Sequence, residues 1–232
     1  MQKLIFLCRR RPDITHARYT DLLLGGHVPL ALRHHPTLRA YVVNIVEHTP
    51  PGAAELDSVG ELWFEALADY RERLYDSPAG ERAVVADVRA FLGGADAYVT
   101  TEHVHRAPRA PARPGARSPG VKLICPVMRR SGMTHDAFVA HWLQRHVPLA
   151  LRHHPGLVGY VTNVVDERLS SSGEAWDGIA ELHVPSVEVL PHGLFDSPAG
   201  EAVIREDMAR FIGQTTAYRV AEYVHRAPRS RG

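Results

Sequence analysis

The ten residues HVPLALRHHP stand at 27–36 and recur, letter for letter, at 146–155. Other landmarks return in the same order. Lys3-Leu4-Ile5 comes back as Lys122-Leu123-Ile124, DSPAGE at 76–81 as 196–201, and VHRAPR at 104–109 as 224–229. The offset is 119 up to the decamer and 120 beyond it, so copy 2 has gained one residue between the decamer and DSPAGE. Four landmarks in one order mean tandem duplication, and a period this long is a domain rather than a solenoid repeat. The boundaries read as copy 1 at 1–105, a Pro/Arg-rich linker at 106–120, copy 2 at 121–225, and a basic tail at 226–232. The linker holds no large apolar residue and is expected to be an exposed, extended tether.

Each copy carries the same element pattern. KLIFLCR and KLICPVM are short apolar β-type runs. A helix follows, with Thr15 or Thr134 as N-cap. In copy 2 its inward face is Phe138, Trp142 and His146, spaced i, i+4, i+8; in copy 1 it is Tyr19, Leu23 and His27. Pro29 and Pro148 are expected to break or restart that helix. LRAYVVNIVEH and LVGYVTNVVDE read as second strands, SVGELWFEA and DGIAELHVP as third strands. A second helix opens at Ser77-Pro78 or Ser197-Pro198. AYVTTEHVH and AYRVAEYVH supply the fourth strand. The order βαββαβ is the ferredoxin-like α+β unit, four antiparallel strands with two helices on one face. Two such units in tandem are expected to bring their open sheet faces together.

Composition narrows the function. Apolar residues make up 45% and charged residues 23% of the chain, with net charge +1. Such balance argues against a dedicated nucleic-acid binder. No apolar run is long enough to span a membrane, and the N-terminal order of apolar stretch then arginines is the reverse of a signal peptide. A cytoplasmic protein is expected. Richness in Arg, Ala, Gly and Pro accords with a GC-rich bacterial genome. The two cysteines, Cys8 and Cys125, fall in first strands and read as buried free thiols. Phosphate-loop, dinucleotide and nucleophile-elbow motifs are lacking. His141 and His146 are five apart, outside metal-ligand helix spacing, so no metal is expected.

The segment FVAHWLQRHVPLALRHHPGLVGYVTNVV, followed by GIAELHV and DSPAGE, resembles the EthD-like family of dimeric α+β barrel proteins. Copy 2 carries the pattern at Phe138, His141, Trp142, His146, Pro148, Leu149, Gly159, Tyr160, Ala180, Glu181 and Leu182. Copy 1 departs at Leu22, Leu23 and Ala40 but keeps His27, Pro29, Leu30, Tyr41, Glu61 and Leu62. The resemblance implies a barrel usually made by two chains and here made by one, as a monomer with an internal pseudo-dimer or as a homodimer of it. Fold relatives include cofactor-free oxygenases of aromatic polyketides, polyketide cyclases and dehydratases, isomerases and hydroxynitrile lyases; distant ones bind haem. Fold alone does not choose among them.

The histidines carry the remaining signal. His27 and His146 each end an apolar helix stripe and point toward the sheet. An imidazole there serves as general acid or base, a role worth about 10²–10⁴-fold in rate, or else closes the core by bonding a strand carbonyl. Of the adjacent pairs, His34 and His153 are expected to face the pocket, with His35 and His154 turned elsewhere. Tyr41 and Tyr160 can polarise a carbonyl or protonate an oxyanion. Glu61 and Trp63 share a strand face, as do Glu181 and His183; these glutamates orient an imidazole or pair with arginine across the fused interface. The catalytic set is therefore His146, His141, Tyr160, His27 and Tyr41. Substrate contacts are expected from Trp142, Phe138, His153, Glu181, His183, His34, Glu61 and Trp63. If the copies have divided labour, copy 2, which keeps His141 and Trp142, is favoured for chemistry and copy 1 for scaffold; His27 in copy 1 leaves two working sites as the alternative. The expected reaction is cofactor-independent dehydration, cyclisation or a related lyase or isomerase step on a small apolar or aromatic carbonyl or phenol. A cofactor-free monooxygenase and a non-catalytic binding protein are the alternatives.

Overall fold

A computed structural model describes residues 1–109, 111–171 and 173–228. Copy 1 runs β1 (Gln2–Arg10), α1 (His16–Asp21), a π-helical turn (Leu22–His27), α2 (Val28–His34), β2 (Ala40–His48), β3 (Ser58–Phe64), α3 (Leu67–Glu72), α4 (Pro78–Phe91) and β4 (Leu92–Arg106). Copy 2 runs β5 (Val121–Arg129), α5 (His135–His141), a π turn (Trp142–His146), α6 (Val147–His153), β6 (Gly159–Arg168), β7 (Gly178–Val184), α7 (Val189–His192), α8 (Pro198–Phe211), β8 (Ile212–Thr215) and β9 (Tyr218–Arg226). The expected caps are present: Arg18 N donates to Thr15 Oγ1, Ala137 N to Thr134 Oγ1, and Gly80 N and Gly200 N to the Oγ of Ser77 and Ser197. Pro29 and Pro148 do not end the helical run but stand in the first turn of the restarted helices α2 and α6. A π turn precedes each, with Val28 N–H bonded to Leu23 O and Val147 N–H to Trp142 O. Widening the helix there makes room for a ring that would clash with the preceding turn.

Each copy has the strand order 4-1-3-2, but the copies do not meet face to face as expected. They join edge to edge. β2 pairs with β9 and β4 with β6, all antiparallel, closing eight strands into one barrel in the order β7-β6-β4-β1-β3-β2-β9-β5, with β5 pairing back to β7. The fourth strand of copy 2 is split, and short β8 hangs on β5 outside the ring. Closure leaves no open edge in the ring, which an open pair of sheets would have had to protect. The linker also differs from expectation. Gly115 N and Ser118 N donate to Val224 O and Glu222 O, so its second half lies along β9 rather than free in solvent. Residues 229–232 of the expected tail lie outside the described residues.

Strand alternation separates two environments. Leu4, Phe6, Tyr41, Val43, Ser58 and Leu62 face the helices of copy 1, while Lys3, Ile5, Leu7, Asn44, Val59 and Glu61 face the lumen. Two lysines and four glutamates meet in the lumen. Lys3 Nζ lies 2.7 Å from Glu61, 2.9 Å from Glu102 and 2.6 Å from Glu181; Lys122 Nζ lies 2.6 Å from Glu61, 2.8 Å from Glu181 and 2.8 Å from Glu222. Asn44 and Asn163 each donate to the glutamate of their own copy at 2.7 Å. Burial alone would discharge both ammonium groups, yet the carboxylates raise them; burial would also raise Glu181 and Glu222, and the lysines hold both below the ordinary value.

Replacing Lys122 by methionine strands buried carboxylates and is expected to cost about 3–5 kcal/mol in urea unfolding; a cost below about 1 kcal/mol would refute the account. Because Glu181 and Glu222 are depressed in the folded state, their contribution is present above the ordinary carboxylate value of 4.5 and is lost as pH falls below it. Urea melts from neutral pH downward should therefore show a stability plateau that ends near that value, and Glu181→Gln should flatten the acid-side decline.

Candidate functional site

Between the helices and outer sheet face of copy 1 lies a cavity of about 270 Å³. His27, at the end of the π turn, contributes to its wall. Its Nδ1–H donates to Asp87 Oδ2 on α4 at 2.9 Å, and its ring packs 5.3 Å from Phe91. His35 follows α2, where the backbone leaves the helix, and its Nδ1–H donates to Leu74 O at 3.0 Å. A carboxylate and a carbonyl only accept, so both imidazoles carry their proton on Nδ1 and keep Nε2 as the basic nitrogen. Burial lowers both from the ordinary 6.5, against the opposing pull of those same hydrogen bonds. Tyr41 adds a hydroxyl that burial keeps protonated and that makes no hydrogen bond among the described residues. Tyr19 OH lies 2.7 Å from Ser58 Oγ, and burial pushes the nearby Cys8 thiol up to about 12.

The equivalent space in copy 2 is filled. Trp142 takes the place of Leu23 and is 2% exposed; Gly178 takes the place of Ser58, and a Cβ there would stand 2.1 Å from the indole. Other wall positions lose their polar groups: Cys8, Tyr19, Tyr70 and Tyr75 correspond to Val127, Phe138, Leu190 and Phe195. Phe138 and Trp142 are core residues packed with Phe211, not ligand contacts. His146 donates from Nδ1 to Asp207 at 3.0 Å, and the same carboxylate holds His141 at 3.0 Å and Arg145 at 3.1 Å. Tyr160 is buried beneath Trp142. The indole that marked copy 2 in the sequence is buried against Gly178, in the space that Leu23 and Ser58 leave open in copy 1.

Three further expectations change. His34 and His153 do not face the cavity; α2 and α6 end at them, and they turn to Asp76 and Asp196 beside the second helices, each at about 3.0–3.1 Å. His35 and His154 are the inward members, both buried. Glu61, Glu181, Trp63 and His183 do share strand faces, but those faces line the lumen. The glutamates pair with lysine rather than arginine, Lys3 Nζ sits 4.6 Å from the Trp63 ring centroid, and burial next to Lys122 pushes His183 down to about 4. Sequence reading missed Asp87, the partner of His27. The signal was available: Asp87 and Asp207 occupy matching places on apolar helix stripes.

Among the described residues no group of three or more His, Cys, Asp or Glu is placed to hold a metal ion, and no helix is long and apolar enough to cross a membrane. The model of the EthD domain matches residues 11–95 and again 130–215. A comparison with curated proteins finds no match. Among solved structures, the chain is similar to an "anthrone oxidase-like protein" at 10% identity, covering 100% of this chain and 95% of that one, with TM-score 0.61. It is similar also to two described as "putative monooxygenase". One is from Fusobacterium nucleatum, at 8% identity, coverage of 100% and 95%, and TM-score 0.58. The other is from Lactobacillus acidophilus, at 10%, coverage of 95% and 92%, and TM-score 0.51. At these identities the likeness is one of fold.

Grafting the copy 2 filling into copy 1, Leu23→Trp with Ser58→Gly, should close the cavity without loss of stability, since copy 2 already packs this pair. Loss of small-molecule binding with an unchanged melting temperature is the expected result; retained binding would place the ligand elsewhere. In histidine-resolved NMR titrations His27 and His35 should titrate below 6.5, and values above it would contradict the burial assigned to them.

Proposed function

The chain belongs to the EthD family, and we propose that copy 1 is its working half: an acid–base site that moves protons on a neutral aromatic carbonyl or phenol. The observation that carries this reading is the cavity wall itself. It holds two neutral imidazoles with basic Nε2 atoms and several hydroxyls, but no lysine, arginine, aspartate or glutamate. An anion arriving from solution would lose its water and find no fixed counter-charge there, whereas a neutral phenol that gives its proton to His27 leaves an imidazolium beside the anion it becomes. Tyrosine and phenylalanine rings suit a flat ligand, and the volume sits at the small end of ligand pockets. A porphyrin is larger than such a space accepts.

His27 takes a proton from a phenolic oxygen or from a carbon next to a carbonyl. Tyr41 donates to the oxygen on which negative charge grows, and His35 is placed to return or accept a second proton. Such steps serve dehydration, cyclisation or isomerisation, and every proton-transfer group they use is supplied by the chain. Copy 2 acts as scaffold: it completes the barrel and supplies half of the lumen charges.

Oxygenation is the second reading, favoured by the names of the structural neighbours with TM-scores above 0.5. The same base would make a phenolate or enolate that reduces dioxygen. A methylene would become a carbonyl, with one oxygen atom retained and the other leaving as water. Anthrone offered in air separates the two: His27-dependent oxygen uptake supports oxygenation, and its absence with turnover of other phenols supports the acid–base step alone.

The direct test uses 4-nitrophenol, whose anion absorbs visible light. One molecule should bind per chain and ionise at lower pH than in water. His27→Ala should abolish that ionisation while 4-nitroanisole, which has no proton to lose, still binds. His146→Ala should leave both unchanged. Equal loss from both variants would remove the case for copy 1.

A further inference from the structure

His27 connects the cavity to the outside of the protein. Its ring belongs to the cavity wall, and its Nδ1–H is held by Asp87 Oδ2. The other oxygen, Asp87 Oδ1, makes no hydrogen bond among the described residues and lies 3.6 Å from where a Cβ on Gly26 would stand. Gly25 and Gly26 are both exposed, and a Cβ on Gly25 would meet nothing within 4 Å. Copy 2 has Gln144 and Arg145 in those places. There Asp207 Oδ1 is taken by Arg145 Nε and His141 Nε2, and the carboxylate is 4% exposed against 23% for Asp87. The same aspartate is thus capped in one copy and uncovered in the other.

We propose that Asp87 is a positioning and proton-relay residue for His27, exchanging protons with bulk water through a window left open by Gly25 and Gly26. The inference rests on the reading of the copy 1 cavity as a proton-transfer site. The ligand O–H bond breaks, its electron pair stays on oxygen, and the proton bonds to His27 Nε2. The imidazolium now holds a proton on each nitrogen, with its charge paired to the Asp87 carboxylate. The Nδ1 proton passes to Asp87, which releases it to water. The reverse path, water to Asp87 to Nδ1 while Nε2 reprotonates the product, restores the starting state. One proton leaves and one returns, and no oxidant or reductant is needed. The titratable groups that share the cavity wall with His27 are Cys8, Tyr19, His35, Tyr41, Tyr70 and Tyr75, and Asp87 meets it from α4; of these only Asp87 is bonded to His27. In copy 2, Arg145 places a fixed positive charge on the matching carboxylate and makes it a poor proton carrier.

The chain contains its own control. In ¹⁵N-imidazole NMR the Nδ1 proton of His27 should exchange with water several times faster than that of His146. Gly26→Arg, a residue the same helical turn already accommodates in copy 2, should slow His27 to the His146 rate, while Gly26→Ala should leave it fast. Asp87→Asn keeps an oxygen to accept from Nδ1 but carries no charge. Bound 4-nitrophenol should then ionise about tenfold less at neutral pH, the effect of one pKa unit, with 4-nitroanisole affinity unchanged. Equal exchange rates in the unmodified protein, a fast His27 in Gly26→Arg, or full ionisation in Asp87→Asn would each overturn the relay. A protein that binds 4-nitrophenol without ionising it, or does not bind it, would instead overturn the reading of the cavity, and the relay with it.

Discussion

Two buried lysines hold this molecule in register. Each is contributed by the first strand of one copy, and each binds Glu61 of copy 1 and Glu181 of copy 2 within 2.6–2.8 Å. Charges this deep are tolerated only when all of them find partners. The full set of partners exists only after β2 has paired with β9 and β4 with β6. A lone copy would bury one lysine against two glutamates, without the glutamate of the other copy, and leave an open sheet edge on each side. The lumen cluster therefore makes the two halves a single folding problem, and a one-residue slip of either seam would carry the charges to the wrong face.

With the lumen fixed by polar contacts, the outer faces of the sheet were free to diverge. Both retain helices packed by aromatic residues, and both keep a histidine bonded to an aspartate on the second helix. What differs is volume and polarity. Trp142 lies on Gly178 and closes one side; Leu23 opposite Ser58 leaves the other open and lined with hydroxyls. A large side chain paired with a missing Cβ is a packing solution that neither residue achieves alone. With leucine in place of the indole, copy 1 therefore holds a cavity over the same barrel.

The repeated decamer has a plain physical cause. His27 bonds Asp87, His34 bonds Asp76, and His35 bonds the Leu74 carbonyl, so three of its residues tie the first helical run to α4 and to the segment leading into it. Gly80 of the repeated DSPAGE lets that helix approach, since a Cβ there would stand 2.6 Å from His34 Nδ1. The two motifs were kept together because they touch each other. Matching letters between copies thus reported a shared packing interface, whereas the differing letters at Leu23, Tyr19, Ser58 and Gly26 marked where the copies differ in packing and exposure.

The amino-acid order alone determined the duplication, the βαββαβ order, the caps at Thr15, Thr134, Ser77 and Ser197, and the inward direction of His27. All of these follow from local periodicity and local hydrogen bonding, which act over a few residues. Tertiary structure decided that the sheets join at their edges, that Glu61 and Glu181 meet lysine in the lumen, that His35 rather than His34 turns inward, and that copy 1 holds the cavity. Each of those outcomes depends on groups brought together from distant parts of the chain. Whether a tryptophan lines a space or fills it is set by the residue across from it, and Gly178 lies on a different strand, far along the sequence from Trp142.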